Sequence, residues 1–426
     1  MTTLVANADG GEGPARATGY GWAVFALSFG LLISDYMARQ VLNAVFPLLK
    51  AEWHLSDGRL GLLSGIVAVM VGLLTIPLSL VADRWGRVRS LALMAILWSV
   101  ATLICAAAVG YGQMLLGRAL VGVGEAAYGS VGIAVVISVF PQRLRATLSA
   151  AFMAGGLLGQ VLGVAIGAQI AASQGWRTAF LVIGLGGLVL GLLYPLVVRE
   201  RRIAELAGSA SLRAGAQATS LRALFASRSV RLAYLGSGLQ LFGAGTLPAW
   251  LPSYLNRYYA MPVDRAGRTA AIFLIVCGIG MVLCGALSDR LARDRPDRKI
   301  ALAIGYCLAA AACLSSGLLL PAGTAQLVLI AAAMFFVAGT AGPAGAMVAN
   351  LTPLAIHGSA FATLTLANNL LGLAPGPIVT GRIADSIGLL DALRLVPLTC
   401  LAAALIFALM RRSYLADLDQ LGRVKG

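Results

Sequence analysis

Ser79-Leu80-Val81-Ala82-Asp83-Arg84-Trp85-Gly86-Arg87 closes one long apolar run, and Gly285-Ala286-Leu287-Ser288-Asp289-Arg290-Leu291-Ala292-Arg293 closes another. Both follow the pattern small-x-x-x-Asp-Arg-x-x-Arg, and the two copies lie about half the chain length apart. An acid and two arginines placed twice at the mouth of an apolar segment imply a membrane protein built from two similar halves. A second echo has nearly the same spacing. Phe140-Pro141-Gln142-Arg143-Leu144-Arg145-Ala146-Thr147 opens one run, and Thr352-Pro353-Leu354-Ala355-Ile356-His357-Gly358-Ser359 opens its counterpart. Proline stops the preceding helix and a cation suits the loop that follows. Two echoes in the same order indicate two parallel six-helix halves.

Composition sets the solvent. Hydrophobic residues make up 59% of the chain and charged residues 12%, against about 25% charged in soluble domains. So few charges cannot cover a water-exposed surface. The net charge of +15 would suggest nucleic acid in a soluble protein. Here the arginines sit in short loops between apolar runs, which fits control of membrane orientation and argues against nucleic acid as a partner. The cysteines fall mostly within apolar runs and lack metal-ligand spacing, so they read as small buried hydrophobes and no metal is expected. Residues 1–18 are polar and Gly-rich, and the first apolar run is long enough to span, so no cleavable signal peptide is expected.

A span needs about 20 mainly apolar residues. Twelve candidates emerge: 20–48, 58–82, 88–109, 112–140, 144–172, 177–198, 230–256, 266–291, 299–320, 325–351, 357–384 and 390–411. The expected fold class is an all-α membrane protein of two pseudo-symmetric six-helix bundles, 20–198 and 230–411. A tail over 1–19, a linker over 199–229 and a tail over 412–426 complete the organisation. The linker carries Arg199, Arg201, Arg202, Arg213, Arg222 and Arg228, with an amphipathic helix expected around Leu221–Ala226. Most basic loop residues fall on one side if the N-terminus is inside. Both termini and the linker are therefore expected in the cytoplasm, with the protein in a bacterial-type inner membrane.

The Asp-Arg-x-Gly-Arg loop after the second span, its weaker copy after the eighth and the 6 + 6 layout resemble the major facilitator superfamily over residues 20–411. Ser79 stands where that family prefers glycine, and it is small enough to keep the close packing. The resemblance implies a conformational latch formed by Asp83, Arg84 and Arg87, repeated at Asp289, Arg290 and Arg293. In it, Asp83 pairs with a cation at a neighbouring helix end and holds the outward-open state. An acid–arginine network at a helix terminus can bias one of two rigid-body arrangements. Orientation signalling alone would need no aspartate.

Charges within spans are costly and mark function or a partner. In the first span, Asp35 and Arg39 are four residues apart, share one face and can pair. In the fourth, Arg118 and Glu125 are seven apart, two helical turns, and again share a face. A carboxyl group near the middle of a span can carry a proton, and a neighbouring arginine opposes that. An anion bound to the arginine would release the acid to take the proton, which couples cargo to proton. The alternatives are structural: an ion pair near the headgroups for Asp35–Arg39, and a permanent buried pair for Arg118–Glu125.

Asp35-Tyr36-Met37-Ala38-Arg39-Gln40-Val41-Leu42, followed by Leu55-Ser56-Asp57 and by Gly122-Val123-Gly124-Glu125-Ala126, resembles the bacterial Spinster-type branch and also the organic anion:cation symporter branch. Both usually read Asn-Tyr-x-Asp-Arg in the first span. This chain has Asp35 where they have Asn and Ala38 where they have Asp. The resemblance carries directly onto Arg39 and Glu125, and the acid stands nearly one turn earlier. The fifth span reads Gly155-Gly156-Leu157-Leu158-Gly159-Gln160-Val161-Leu162-Gly163. It is similar to the superfamily's antiporter signature with Gln160 in place of proline, and also reads simply as tight helix packing.

The second half has almost no charge within its spans. Gln240, Trp250, Asn368 and Asn369 are its candidate cavity groups, alongside Asn43 in the first half. Pro248, Pro252, Pro343, Pro375 and Pro377 suggest kinked gating helices. His357 reads as a loop cation. No ATP-binding loop or catalytic constellation is present, so an enzyme is not expected and no cofactor is implied. The expectation is a secondary transporter working by alternating access, a monomer in the lipid bilayer. It would move a small organic anion with protons, with Arg39 and Arg118 holding the anion and Glu125 with Asp35 holding the proton. The competing reading is export of a lysolipid-like or drug-like amphipathic compound.

Overall fold

The computed structural model describes residues 19–207, 224–293, 295, 297–353 and 356–424. The first half comprises α1 (Gly19–Trp53), α2 (Asp57–Trp85), α3 (Arg87–Ala106), α4 (Tyr111–Glu125), α5 (Tyr128–Ser138), α6 (Gln142–Gln174) and α7 (Trp176–Val197). A short helix, α8 (Glu200–Ala207), follows. The second half comprises α9 (Arg228–Tyr258), α10 (Val263–Leu291), α11 (Arg298–Leu319), α12 (Thr324–Val337), α13 (Ala341–Asn350) and α14 (His357–Asn368). It ends with α15 (Pro375–Ile387), α16 (Leu389–Arg394) and α17 (Val396–Val424). Among the described residues, ten stretches are long and apolar enough to cross a membrane. Two further crossings complete the twelve: α9, which is rich in Gly, Ser and Pro, and the interrupted α14–α15.

One expected feature differs. The fourth span, expected unbroken, kinks at Ala126 and Ala127 between α4 and α5, and its partner in the second half breaks at the equivalent place between α12 and α13. Of the helix expected around Leu221–Ala226, residues 221–223 lie outside the described residues, and Leu224 and Phe225 lie in a tight helical turn.

Where helices touch most closely, small residues lie at the contact, and many large apolar side chains point outward. In α7, Gly184, Gly187 and Gly191 are buried while Leu185, Val189, Leu192 and Leu196 are exposed. Lipid tails are as apolar as leucine, so association in a bilayer depends on close backbone approach rather than on hiding large side chains. The fifth-span glycines serve the same end. A Cβ at Gly159 would sit 2.6 Å from the Ile33 carbonyl oxygen, and one at Gly163 2.8 Å from Met37 Cα. The Gly-rich signature thus seats α6 flush on α1, at the level of the Asp35–Arg39 segment.

The eleventh crossing shows why the prolines matter. Pro375 has no N–H to continue the helical ladder. The chain accommodates it with a π turn at Asn369–Leu373, where the Ala374 N–H donates to the Asn369 carbonyl at 2.9 Å. Such bulges re-aim side chains and often mark functional places.

Candidate functional site

A cavity of about 300 Å³ lies between the two halves at mid-depth. Its walls differ in chemistry. The α1, α2 and α6 side presents Tyr36, Arg39, Gln40, Asn43, Ser64 and Gln160, whereas the second half presents Leu241, Leu274, Cys277, Met281 and Leu373. Among the described residues, Arg39 is the one charged residue of the lining. The polar side chains are tied together: Asn43 Nδ2 donates to Gln40 Oε1 at 2.7 Å, Ser64 Oγ donates to Asn43 Oδ1 at 3.0 Å, and Gln40 Nε2 donates to Gln160 Oε1 at 3.3 Å. This network fixes the wall on which Arg39 stands.

Behind the wall lies an acidic pocket. Glu125 Oε2 is 3.8 Å from Arg39 Nη1, with the Glu125 side chain 4% exposed and that of Arg39 20% exposed. Asp35 is buried beside Glu125. Asp35 Oδ1 and Glu125 Oε1 are both buried without a hydrogen-bond partner. Unsatisfied buried polar atoms are rare and call for a physical reason. Here they are two acceptors beside the guanidinium of Arg39, which lines the cavity. Local sequence puts Glu125 there. Gly122 and Gly124 bring α4 hard against α2 and α3, since a Cβ at either would stand 2.7 Å from the Val67 carbonyl oxygen or the Trp98 amide nitrogen. The opposite face of α4 then looks at α1, and the helix break immediately after Glu125 ends the element there.

Arg118 is placed differently from the expectation of an anion-binding group. It is 1% exposed and does not line the cavity. Its Nη1 and Nη2 donate to the Ala38 and Arg39 carbonyls at 2.8 and 2.9 Å, and its Nε donates to the Leu63 carbonyl at 3.4 Å. A planar guanidinium with its donors on three carbonyls braces α1, α2 and α4.

The second-half candidates are likewise turned inward. Gln240 Nε2 donates to the Val337 carbonyl at 3.1 Å, at the break after α12, and Trp250 Nε1 donates to the Pro377 carbonyl at 3.2 Å. Asn368 Oδ1 accepts from Ser237 Oγ at 2.8 Å, and Asn369 Nδ2 donates to the Thr365 carbonyl at 2.9 Å. None of the four lines the cavity. Gln240, Trp250 and Asn369 serve broken or proline-interrupted backbone, and Asn368 ties α14 to Ser237 of α9, demands that spacing alone does not reveal.

A cluster absent from the sequence expectations joins the halves at the end opposite the arginine loops. Asp57, at the start of α2, accepts from Arg257 Nη1 and Nη2 at 2.8 and 2.7 Å and from Lys50 Nζ at 2.6 Å. Asp385 of α15 accepts from the Asp57 and Gly58 backbone N–H groups at 2.6 and 2.9 Å. An acid from the second half thus caps the positive N-terminus of a first-half helix. Next to it a Cβ on Gly61 would overlap the Pro377 carbonyl oxygen, and one on Gly267 would overlap Ala168. Backbones meet there without side chains between them, and that end is shut. The signal in the sequence was Leu55-Ser56-Asp57. Its partners 200 and 328 positions away were not readable.

At the arginine-rich end, the side chain of the expected latch residue Asp83 lies outside the described residues. Glu200 of α8 accepts from the Arg87 and Val88 N–H groups at 2.9 and 2.8 Å, capping α3. Asp289 pairs with Lys299 of α11 at 2.9 Å, and Arg84, Arg290 and Arg293 are exposed. His357 opens α14, with Nε2 3.0 Å from the Thr352 carbonyl oxygen.

The two-bundle architecture, the cavity between bundles and the doubled loop agree with sequence comparison: the Major Facilitator Superfamily profile matches residues 27–377, with an overlapping match over 233–419. The chain belongs to the Major Facilitator Superfamily. This superfamily protein is therefore a multi-pass membrane transporter and not an enzyme. It is 27% identical to a probable L-galactonate transporter of Escherichia coli over 304 residues, covering 68% of this chain and 67% of that one. It is 26% identical to a sphingosine-1-phosphate transporter of Danio rerio over 289 residues, covering 64% and 57%. Its fold matches the inward-facing, unoccupied crystal structure of a bacterial homologue of the human lysosomal transporter Spinster. The TM-score is 0.82 at 20% identity, covering 94% of this chain and 99% of that one.

Proposed function

We propose that this transporter carries a small organic anion with an apolar body, coupled to protons. The observation that carries the reading is Arg39, the one charge lining a cavity otherwise polar on one wall and apolar on the other, with Glu125 3.8 Å behind it. An anion bound to Arg39 competes for the guanidinium that faces Glu125. Once Arg39 turns to the anion, Glu125 and Asp35 remain as two buried carboxyls that have lost their nearest counter-charge, a pair that holds a proton in common. Asp35 then takes the part of the family acid absent at Ala38. Loss of cargo restores the Arg39–Glu125 pair and expels the proton. This competition makes cargo and proton travel together. The E. coli relative is named for a sugar acid, which supports an anion.

The arginine-rich end faces the cytoplasm of an inner membrane by the positive-inside rule, so the shut end, around Asp57, Arg257 and Asp385, faces outward. The Asp83 and Asp289 loops act as the latch when the halves rock to the opposite state. The test is uptake in proteoliposomes of this protein against a panel of organic acids with an imposed proton gradient. Saturable, gradient-driven accumulation that Glu125→Gln abolishes is the expected result, and accumulation by Glu125→Gln equal to wild type would sink the proposal.

The second reading, export of a lysolipid-like or drug-like amphipath, draws on the apolar second-half wall and the sphingosine-1-phosphate relative. The cavity volume, about 300 Å³, is at the low end for small-molecule sites and favours the smaller cargo. Competition of lysolipids with organic acids at Arg39 would favour the second reading.

A further inference from the structure

We infer that the groove between the first turns of α9 and the α14–π-turn segment is a binding site for an anionic phospholipid of the surrounding bilayer. The groove holds about 360 Å³ and shares no lining residue with the central cavity. Its walls are Phe225, Leu235, Leu366, Leu370 and neighbouring apolar side chains, and Phe225, Leu235 and Leu370 are exposed. One charged residue belongs to it, the exposed Arg231.

The arrangement matches the two parts of a phospholipid. Arg231 is in the first turn of α9, at the arginine-rich end of the bundle, where a span meets the headgroups. Its guanidinium can hold a phosphate through paired N–H donors. The apolar walls continue from it towards mid-depth, the direction an acyl chain takes. One helical turn deeper, Tyr234 forms part of the wall. A soluble anion would leave the apolar walls uncovered, and a zwitterionic lipid would set its own cation against Arg231. The occupant that satisfies charge, depth and surface together is an anionic lipid such as phosphatidylglycerol. The π turn forms one wall of the groove, so occupancy bears on the most irregular stretch of the eleventh crossing.

The experiment uses the full-length protein in nanodiscs of phosphatidylcholine with or without phosphatidylglycerol. Retained lipid is read by native mass spectrometry, and stability by thermal unfolding. Wild type is expected to retain phosphatidylglycerol selectively and to unfold at higher temperature in its presence. Arg231→Gln should lower retention about fivefold or more, while Arg412→Gln, an exposed arginine elsewhere at the same end, should leave it unchanged. Ala367→Trp, which fills the groove, should remove the thermal gain. Equal retention by Arg231→Gln and wild type would overturn the proposal, as would an equal loss in Arg412→Gln. A thermal gain that survives Ala367→Trp would show instead that the groove is covered by the chain itself, and would also overturn it.

Discussion

The two halves share a helix plan and differ in what their central polar groups do. In the first half, Arg39 faces the cavity and the buried Asp35 and Glu125 behind it each keep an oxygen without a partner. In the second, Gln240, Trp250, Asn368 and Asn369 are each engaged with helix backbone or a neighbouring serine. Duplication preserved shape, including the paired breaks at Ala126–Ala127 and after Val337, while the chemistry diverged. The lesson is that a polar residue in a span has two employments, repairing interrupted backbone or meeting a ligand, and that a place on the cavity wall, which Arg39 has and Gln240 and Asn369 lack, distinguishes them.

That contrast can be broken most severely at the first-half charges. Glu125→Gln should reduce gradient-driven accumulation in proteoliposomes to simple equilibration while cargo still binds. Arg39→Ala should weaken cargo binding roughly 10- to 100-fold, the loss expected when a charge-assisted hydrogen bond disappears; calorimetric titration reads it. Tight binding by Arg39→Ala would move the site elsewhere. The next largest effect lies where the halves touch. Asp57→Asn weakens a buried acid held by two cations, and about 2–5 kcal/mol of inter-half stabilisation should go with it. Labelling of cysteines introduced at that end should then become fast, and unchanged labelling would show that the shut end does not depend on the cluster. Gly61→Val tests the same closure sterically. Overpacking there should cost about 1–3 kcal/mol and shift the same labelling in the same direction, with α2 itself still folded by circular dichroism. The smallest effect is expected in the second half. Gln240→Leu should lower stability by about 0.5–1.5 kcal/mol and leave cargo affinity unchanged. A large fall in affinity would erase the distinction between the halves.

Much of this was legible before any coordinates. The doubled Asp-Arg loop gave the two-bundle plan, and apolar length gave the twelve crossings. The in-span charges Asp35, Arg39 and Glu125 were visible because each is costly in hydrocarbon without a task. Arg118 stood out by the same logic, yet its task is to tie three helices together through carbonyls that no sequence pattern marks. The Gly-rich stretch 155–163 read correctly as packing, but Gln160 within it also joins the cavity network. The inter-half cluster stayed hidden because Lys50, Arg257 and Asp385 look like ordinary charged residues at the ends of spans.

By itself the sequence determined solvent, helix count and the half of the molecule that holds charge, because hydrophobic length and the cost of buried charge are properties of composition and order. Tertiary structure decided which polar groups face the cavity and which are used on backbone, and which end is shut. Those outcomes depend on helix rotation and on distances between segments hundreds of residues apart, set by where glycines let backbones touch. A one-dimensional pattern constrains the face a side chain occupies but not what lies opposite it.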